Sequence, residues 1–549
     1  MQLETAWVKP PRHITGQDHL GVQAPCINLY GKLLPGITNV TDRARYYSFY
    51  PWIVWALEQK GHVYNETFVD LFRKADCLFT FIAHQHAHSC GGDISMHSGA
   101  CIGSNNLAKP LKALQGKSTV FLSDFSHQDP SDTRYFKNKL GGLGQYYRGV
   151  LAELDIMNGT TGKNIQNTKQ IGNEVAQAFA QGVDGELFLK TLDENEVSVE
   201  RLNALSTFCP CSIASNKRER ELLFDCFFVR NQFSNVDLLP RRRTLQTMLH
   251  IADALANQKQ SIDVQLFRSC VYSGALPDGS PLILPDRLSS NLQRWGIYQR
   301  NEVLSLAIQG LFNALLSSYG ELSSPLPSSQ AICDWFISTL EINHVRQRFE
   351  IDAVFDLLRS EYSGSLPLLA NWQDPHHEIQ QVLQIETLCG ETSTSETRIA
   401  IIEKCITALF ALASREQTNL GYGDFHFPNN YFQYYPINLR SFHYHCEHTW
   451  KNMKLKEWLQ WLCHNWGIEA HLKVALRKLR GQSQSSFRIW PSDIGMAVVE
   501  PDHIPEAVFT TPRFRQAIQI LQDIGALEKL DGCLQSTSLG IMGKELADA

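Results

Sequence analysis

From Ile165 to Ser414 apolar residues recur every three or four positions in one segment after another, as in KRERELLFDCFFVRNQF, RRRTLQTMLHIADALAN and NEVLSLAIQGLFNALLSSYG. That spacing puts the apolar side chains of each segment on one face of a helix. Strict alternation of apolar and polar residues, which a half-buried strand needs, is scarce in the same stretch. Stripes of this kind are buried helix against helix, so a helical bundle or array is the expected architecture.

Helical patterning also precedes this region. RARYYSFYPWIVWALEQK predicts a helix capped by Thr41 or Asp42 and kinked at Pro51, and its aromatic content predicts deep burial. NETFVDLFRKADCLFTFIAHQH follows, with Phe68, Leu71, Phe72, Ala75, Phe79 and Ile82 on one face. At 549 residues the chain exceeds what one core organises. Composition shifts divide it into an aromatic-rich helical domain over 1–160, a central helical domain over 161–420 and a C-terminal domain over 421–549.

The C-terminal stretch holds the best strand candidates, SSFRIW and MAVVE, after two helices expected to break at Gly467. Next comes TTPRFRQAIQILQDIGALEKLDGCLQSTSLG. Thr510 or Thr511 with Pro512 can start a helix, Phe514, Ile518 and Leu521 share a face, and Gly525 can end it. Asp531 and Gly532 between two short apolar runs predict a hairpin. Helix followed by hairpin wing is the order of a winged helix, so the fold class expected is mainly α, multidomain, with a C-terminal winged-helix-like domain.

Net charge is −6, so attraction to nucleic acid has to come from a local basic surface. Lys473, Arg477, Lys478, Arg480 and Arg488 form a run with no acid between them, and Arg513 and Arg515 lie on the predicted helix of the winged segment. These are the expected phosphate contacts. Arg241, Arg242 and Arg243 start another helix, where the dipole disfavours positive charge and an anion or acidic neighbour should compensate. Lys217, Arg218 and Arg220 form a similar helix-start cluster. No secretory signal opens MQLETAWVKPPRH, and no run of some eighteen apolar residues was found. Fourteen cysteines stand singly in apolar patterns, as reduced thiols do, and a cytoplasmic protein is expected.

Three patterns resemble chemistry. AHQHAHSCGGDISMHSGAC places His84 and His88 at i and i+4 on one helix face, where they can share an ion with Cys90, His97 or Cys101 from the following loop. Zinc is the ion such donors suit, and a metal-dependent nuclease or hydrolase is the activity that would follow. His86 is expected to point elsewhere, and Cys209 with Cys211 lacks the spacing and the second pair of a zinc knuckle. Lys117 and Ser118 in QGKST match the end of a phosphate loop, but Leu111 stands where its first glycine belongs and helix precedes strand, the reverse of what that loop needs. His443, His445, Cys446, His448 and His464 read as polar tips in aromatic packing.

The segments LLPGITNVTDRARYYSFYPWIVWAL, CIGSNNL, RRRTLQTMLHIADAL and HLKVALRKLRGQSQSSFRIWP resemble a family of large bacterial proteins associated with antiphage defence islands; a multigene system of the Druantia kind would suit such a subunit. The family carries no catalytic motif to transfer. The resemblance implies a noncatalytic or accessory subunit that binds nucleic acid, DNA foremost, other defence-system subunits, or both, and no resident cofactor is expected. A winged-helix transcription regulator is the remaining alternative. Arg43 and Arg45, flanking the aromatic core, are expected in buried ion pairs or at a subunit interface.

Overall fold

The computed structural model describes residues 12–13, 18–40, 42–62, 64–91, 94–99, 101–114, 119–158, 165–230, 239–340, 364, 366–415, 434–479 and 484–547. Helices dominate, and the strands among the described residues pair only as four two-stranded sheets. The chain forms two compact units. One comprises Met1–Gly31 with Arg268–Thr510, and the other Lys32–Phe267 with Thr511–Ala549. This partition differs from the three consecutive segments drawn from composition, because each unit is assembled from two separated stretches.

The Lys32–Phe267 and Thr511–Ala549 unit is built around helices Tyr46–Gln59 and Glu66–Cys90. Asn65 caps the second helix by accepting from the Phe68 amide, and Gly91, at φ 61°, ends it. The first starts at Tyr46 with no side-chain cap, so the expected Thr41 or Asp42 cap is not the start signal. Asp42 instead accepts from the Arg515 guanidinium. Pro51 lies inside the helix, as the sequence requires, and its carbonyl takes a hydrogen bond from Asn167.

Tyr46, Tyr47, Phe49, Tyr50 and Trp52 are all buried, packed among Phe72, Phe79, Tyr147, Phe179, Phe188 and Phe208. Each ring removes on the order of 150–250 Å² from water, worth roughly 4–6 kcal/mol before chain entropy is counted. The expected deep burial of this segment is thus observed. Two arginines are buried with it. Arg43 pairs with Asp523 at 2.9 Å and Arg45 with Glu219 at 3.5 Å.

The C-terminal stretch of this unit runs helix Phe514–Asp523, strands Leu527–Leu530 and Cys533–Ser536, and helix Ser538–Glu545. Asp531 and Gly532 both have positive φ, 50° and 85°, which gives the tight turn the sequence predicts. The helix start departs from expectation: Arg513, left-handed at φ 65°, occupies the cap position and no Thr side chain caps it.

In the other unit, helix Asp286–Gly320 packs against Glu378–Cys389 and Ser395–Ser414. Gly310 permits the close approach, since a Cβ there would lie 2.7 Å from the Cys405 sulfur. By length and mean hydropathy this helix is long and apolar enough to cross a membrane, although polar residues interrupt it; 83% of its most apolar window is buried in the protein. Strands Ile489–Ser492 and Gly495–Val498, which overlap the strand candidates SSFRIW and MAVVE in part, pair as a hairpin. The predicted break at Gly467 is instead a π-helical segment, Leu462–Glu469, that continues into helix Ala470–Leu479.

Candidate metal centre and anion cleft

Helix Glu66–Cys90 carries His86 on its last turns, a turn after Ile94–Met96 carries His97, Cys209 precedes the 3-10 turn Pro210–Ser215 and Cys211 lies within it. These four side chains converge. The donor atoms lie within 4.8 Å of one another, with His97 Nδ1 at 3.2 Å from Cys209 Sγ, His86 Nδ1 at 3.4 Å from Cys211 Sγ, and the two sulfurs 3.5 Å apart. The imidazole planes stand at 89° with centroids 5.0 Å apart. His97 and Cys209 are buried, His86 and Cys211 half-buried.

The backbone around the cluster is held by the buried arginines. Arg45 donates from one nitrogen to the carbonyls of Thr207 and Cys209, both at 2.6 Å, and Arg43 donates to the Met96 carbonyl beside His97. Asn203 accepts from Gln85 and Ser89, tying the end of the His86 helix to the chain that leads to Cys209. The Cys211 thiol is held below its ordinary range, first by the hydrogen bond it shares with Cys209 and then by the imidazoles of His86 and His97. Cys209 moves the opposite way, raised by that same hydrogen bond and by burial.

Of the donors expected from local spacing, only His97 belongs to this set. His84 turns to Ser104, 2.8 Å from its hydroxyl, and His88 is exposed. Cys90 is exposed and 3.5 Å from the far nitrogen of His97, and Cys101 is buried with its thiol on the His97 carbonyl. His86, expected to point away, is a member, and the dismissed Cys209 and Cys211 supply both thiols. Sequence spacing failed because the two halves meet only in three dimensions. The short Cys-Pro-Cys string was the available signal. In the other group, His445 is stacked among Trp450, Trp461 and Trp466, and His464 lies 3.3 Å from the Ser329 hydroxyl. Lys117 and Ser118 lie outside the described residues.

The basic run fares differently from its expectation as one outward face. Lys473 is exposed. Arg477 donates to the Tyr434 carbonyl and lies over the Tyr435 ring, and Lys478 donates to the Asp18 carbonyl. Arg488 is buried, pairs with Glu500 at 2.7 Å, and lines an open pocket of about 660 Å³. Arg480 lies outside the described residues. Arg513 donates to the Leu34 carbonyl, while Arg515, exposed, pairs with Asp42. Arg241 and Arg242 are buried, and Arg241 donates to the carbonyls of Pro35, Cys226 and Phe227; Arg243 is half-buried. Arg241, Arg242 and Arg488 are therefore corrected from phosphate contacts to internal cations, because all three side chains are buried, with Arg241 donating to carbonyls and Arg488 paired with Glu500.

A different basic pair faces an opening. Lys217, Arg220, Glu221, Gly525, Thr537, Ser538, Leu539 and Met542 line a cleft of about 460 Å³. Arg220 Nε is buried without a hydrogen-bond partner among the described residues. Gly525, at φ 76°, makes room for it, since a Cβ there would stand 2.8 Å from Arg220 Nη1. Opposite, helix Ser538–Glu545 begins, capped by Thr537 through the Gly540 amide, which leaves the amides of Ser538 and Leu539 as first-turn donors. Glu221 is the one acid on the rim, 3.8 Å from Lys217.

No family model matches the chain, and no curated protein or solved structure is similar to it.

Proposed function

We propose that the chain is a noncatalytic accessory subunit of a bacterial antiphage defence system that engages a phosphate-bearing partner, nucleic acid foremost. The observation that carries this reading is the cleft between Lys217, Arg220 and the start of helix Ser538–Glu545. Two cations, an unpartnered guanidinium nitrogen and the positive end of a helix dipole meet there, which is the donor set that phosphate oxygens take. The cleft abuts the helix-and-hairpin segment after Thr511, which we read as a winged-helix-like module with its backbone contact at the helix start instead of at the expected basic run. The defence setting rests on the resemblance of the sequence segments.

Charge reversal tests the reading on the full chain. Lys217→Glu with Arg220→Glu weakens duplex DNA binding and lowers the slope of log affinity against log salt by about 2, whereas Lys473→Glu lowers it by at most about 1. DNA affinity and slope unchanged in the double variant would overturn the proposal.

A further inference from the structure

We infer that His86, His97, Cys209 and Cys211 form a structural zinc centre, a site independent of the anion cleft and of the phosphate-binding reading. The argument is geometric. A tetrahedral Zn²⁺ with about 2.3 Å to sulfur and about 2.0–2.1 Å to nitrogen has donor-to-donor edges of roughly 3.3–3.8 Å. Three of the six edges, 3.2 and 3.4 Å from nitrogen to sulfur and 3.5 Å from sulfur to sulfur, are shorter than the roughly 3.55 Å and 3.75 Å of such a tetrahedron by a few tenths of an ångström, and all four donor atoms lie within 4.8 Å of one another. Hydrogen bonds link these atoms pairwise, but one ion can replace all of them, because two imidazole nitrogens and two sulfurs lie within 4.8 Å of one another.

The donor chemistry selects the ion. Two thiolates and two neutral imidazoles balance the charge of one divalent cation, and sulfur with imidazole suits zinc above the hard cations magnesium and calcium. Binding forms two Zn–S and two Zn–N bonds and releases the two thiol protons to solvent, with no change of oxidation state. Four protein donors complete a tetrahedron, so no position is left for a substrate or a water. That separates a structural centre from a catalytic one.

The surroundings support a fixed site. Arg45 holds the carbonyls of Thr207 and Cys209, Arg43 holds the Met96 carbonyl, and Asn203 joins the His86 helix to the Cys209 segment. These contacts orient the loops that carry the ligands, as outer partners of metal sites do. The ion then staples three chain segments, from positions 86, 97 and 209–211, in addition to these hydrogen bonds. Cys90, on the far side of the His97 ring, lies outside the tetrahedron.

Elemental analysis of the purified full-length protein tests this. The wild type is expected to hold about one zinc per chain, Cys209→Ser with Cys211→Ser to lose it by tenfold or more, and His84→Ala with His88→Ala to keep it. Wild-type protein that takes up no zinc on reconstitution, or a double serine variant that retains full zinc, would overturn the assignment. Cobalt substitution of the wild type keeps the test decisive should the serine variant not fold. Tetrahedral Co²⁺ with thiolate-to-metal charge transfer is expected, and a spectrum without thiolate charge transfer would reject the site.

Discussion

Asp76 shows at the scale of one side chain how this core handles charge. It is fully buried, and its carboxylate accepts from the hydroxyls of Tyr50 and Tyr135 and from the Gly142 amide. Burial nevertheless wins over those donors and pushes its pKa up to about 6. A raised folded-state value means that the stability from this group is present below the ordinary carboxyl range near 4 and is lost as pH rises through about 6. The shift is worth on the order of 3 kcal/mol at about 1.4 kcal/mol per unit. Asp76→Asn removes this dependence. Denaturant midpoints of the variant should change less between pH 4 and pH 7 than those of the wild type, and parallel pH profiles would refute the assignment. The histidines of the other unit have the opposite sign: burial lowers His471 to about 3 and His19 to about 4, so their contribution is lost as pH falls below the ordinary imidazole value.

At the scale of an element, Arg45 decides whether the Cys209 segment keeps its shape. Its guanidinium faces Glu219, itself fully buried and bonded by Ser48, and takes the carbonyls of Thr207 and Cys209. Arg45→Met leaves Glu219 buried without a counter-charge and frees the turn that carries two of the four metal donors. A loss of about 3–5 kcal/mol is expected from the uncompensated acid. Chemical unfolding of the variant measures it, and a cost under about 1 kcal/mol would show that the pair is dispensable. Local elements of this kind were readable in advance where the signal is local. Pro51 within the aromatic helix and Asp531-Gly532 between two apolar runs each act through neighbours in sequence. The start of helix Phe514–Asp523 was misjudged because Arg513, not a threonine, adopts the cap position, with its guanidinium on the Leu34 carbonyl.

For the whole molecule, helical dominance was legible from the three-and-four spacing, and the assembly of each unit from separated stretches was not. The metal donors were hidden for the same reason. His84 and His88 satisfied a rule of local spacing, but the helix turns them toward other surroundings, while His86 meets partners more than a hundred positions along the chain. Arginine runs misled in a related way, since Arg241, Arg242 and Arg488 look the same in sequence whether they face water or are buried on folding. What distinguishes them is the apolar neighbourhood each enters on folding. The same folding leaves Arg220 at a cleft, though its local sequence marked it no more strongly than the others.

The zinc centre joins these scales, because buried arginines set the loops, the loops set the donors, and the donors close one unit of the molecule. X-ray absorption at the zinc edge of the full-length protein examines that chain of causes in a single spectrum. The account predicts a first shell of two sulfurs at about 2.3 Å and two nitrogens at about 2.0–2.1 Å. A shell of light atoms alone, or one with three or four sulfurs, would contradict it.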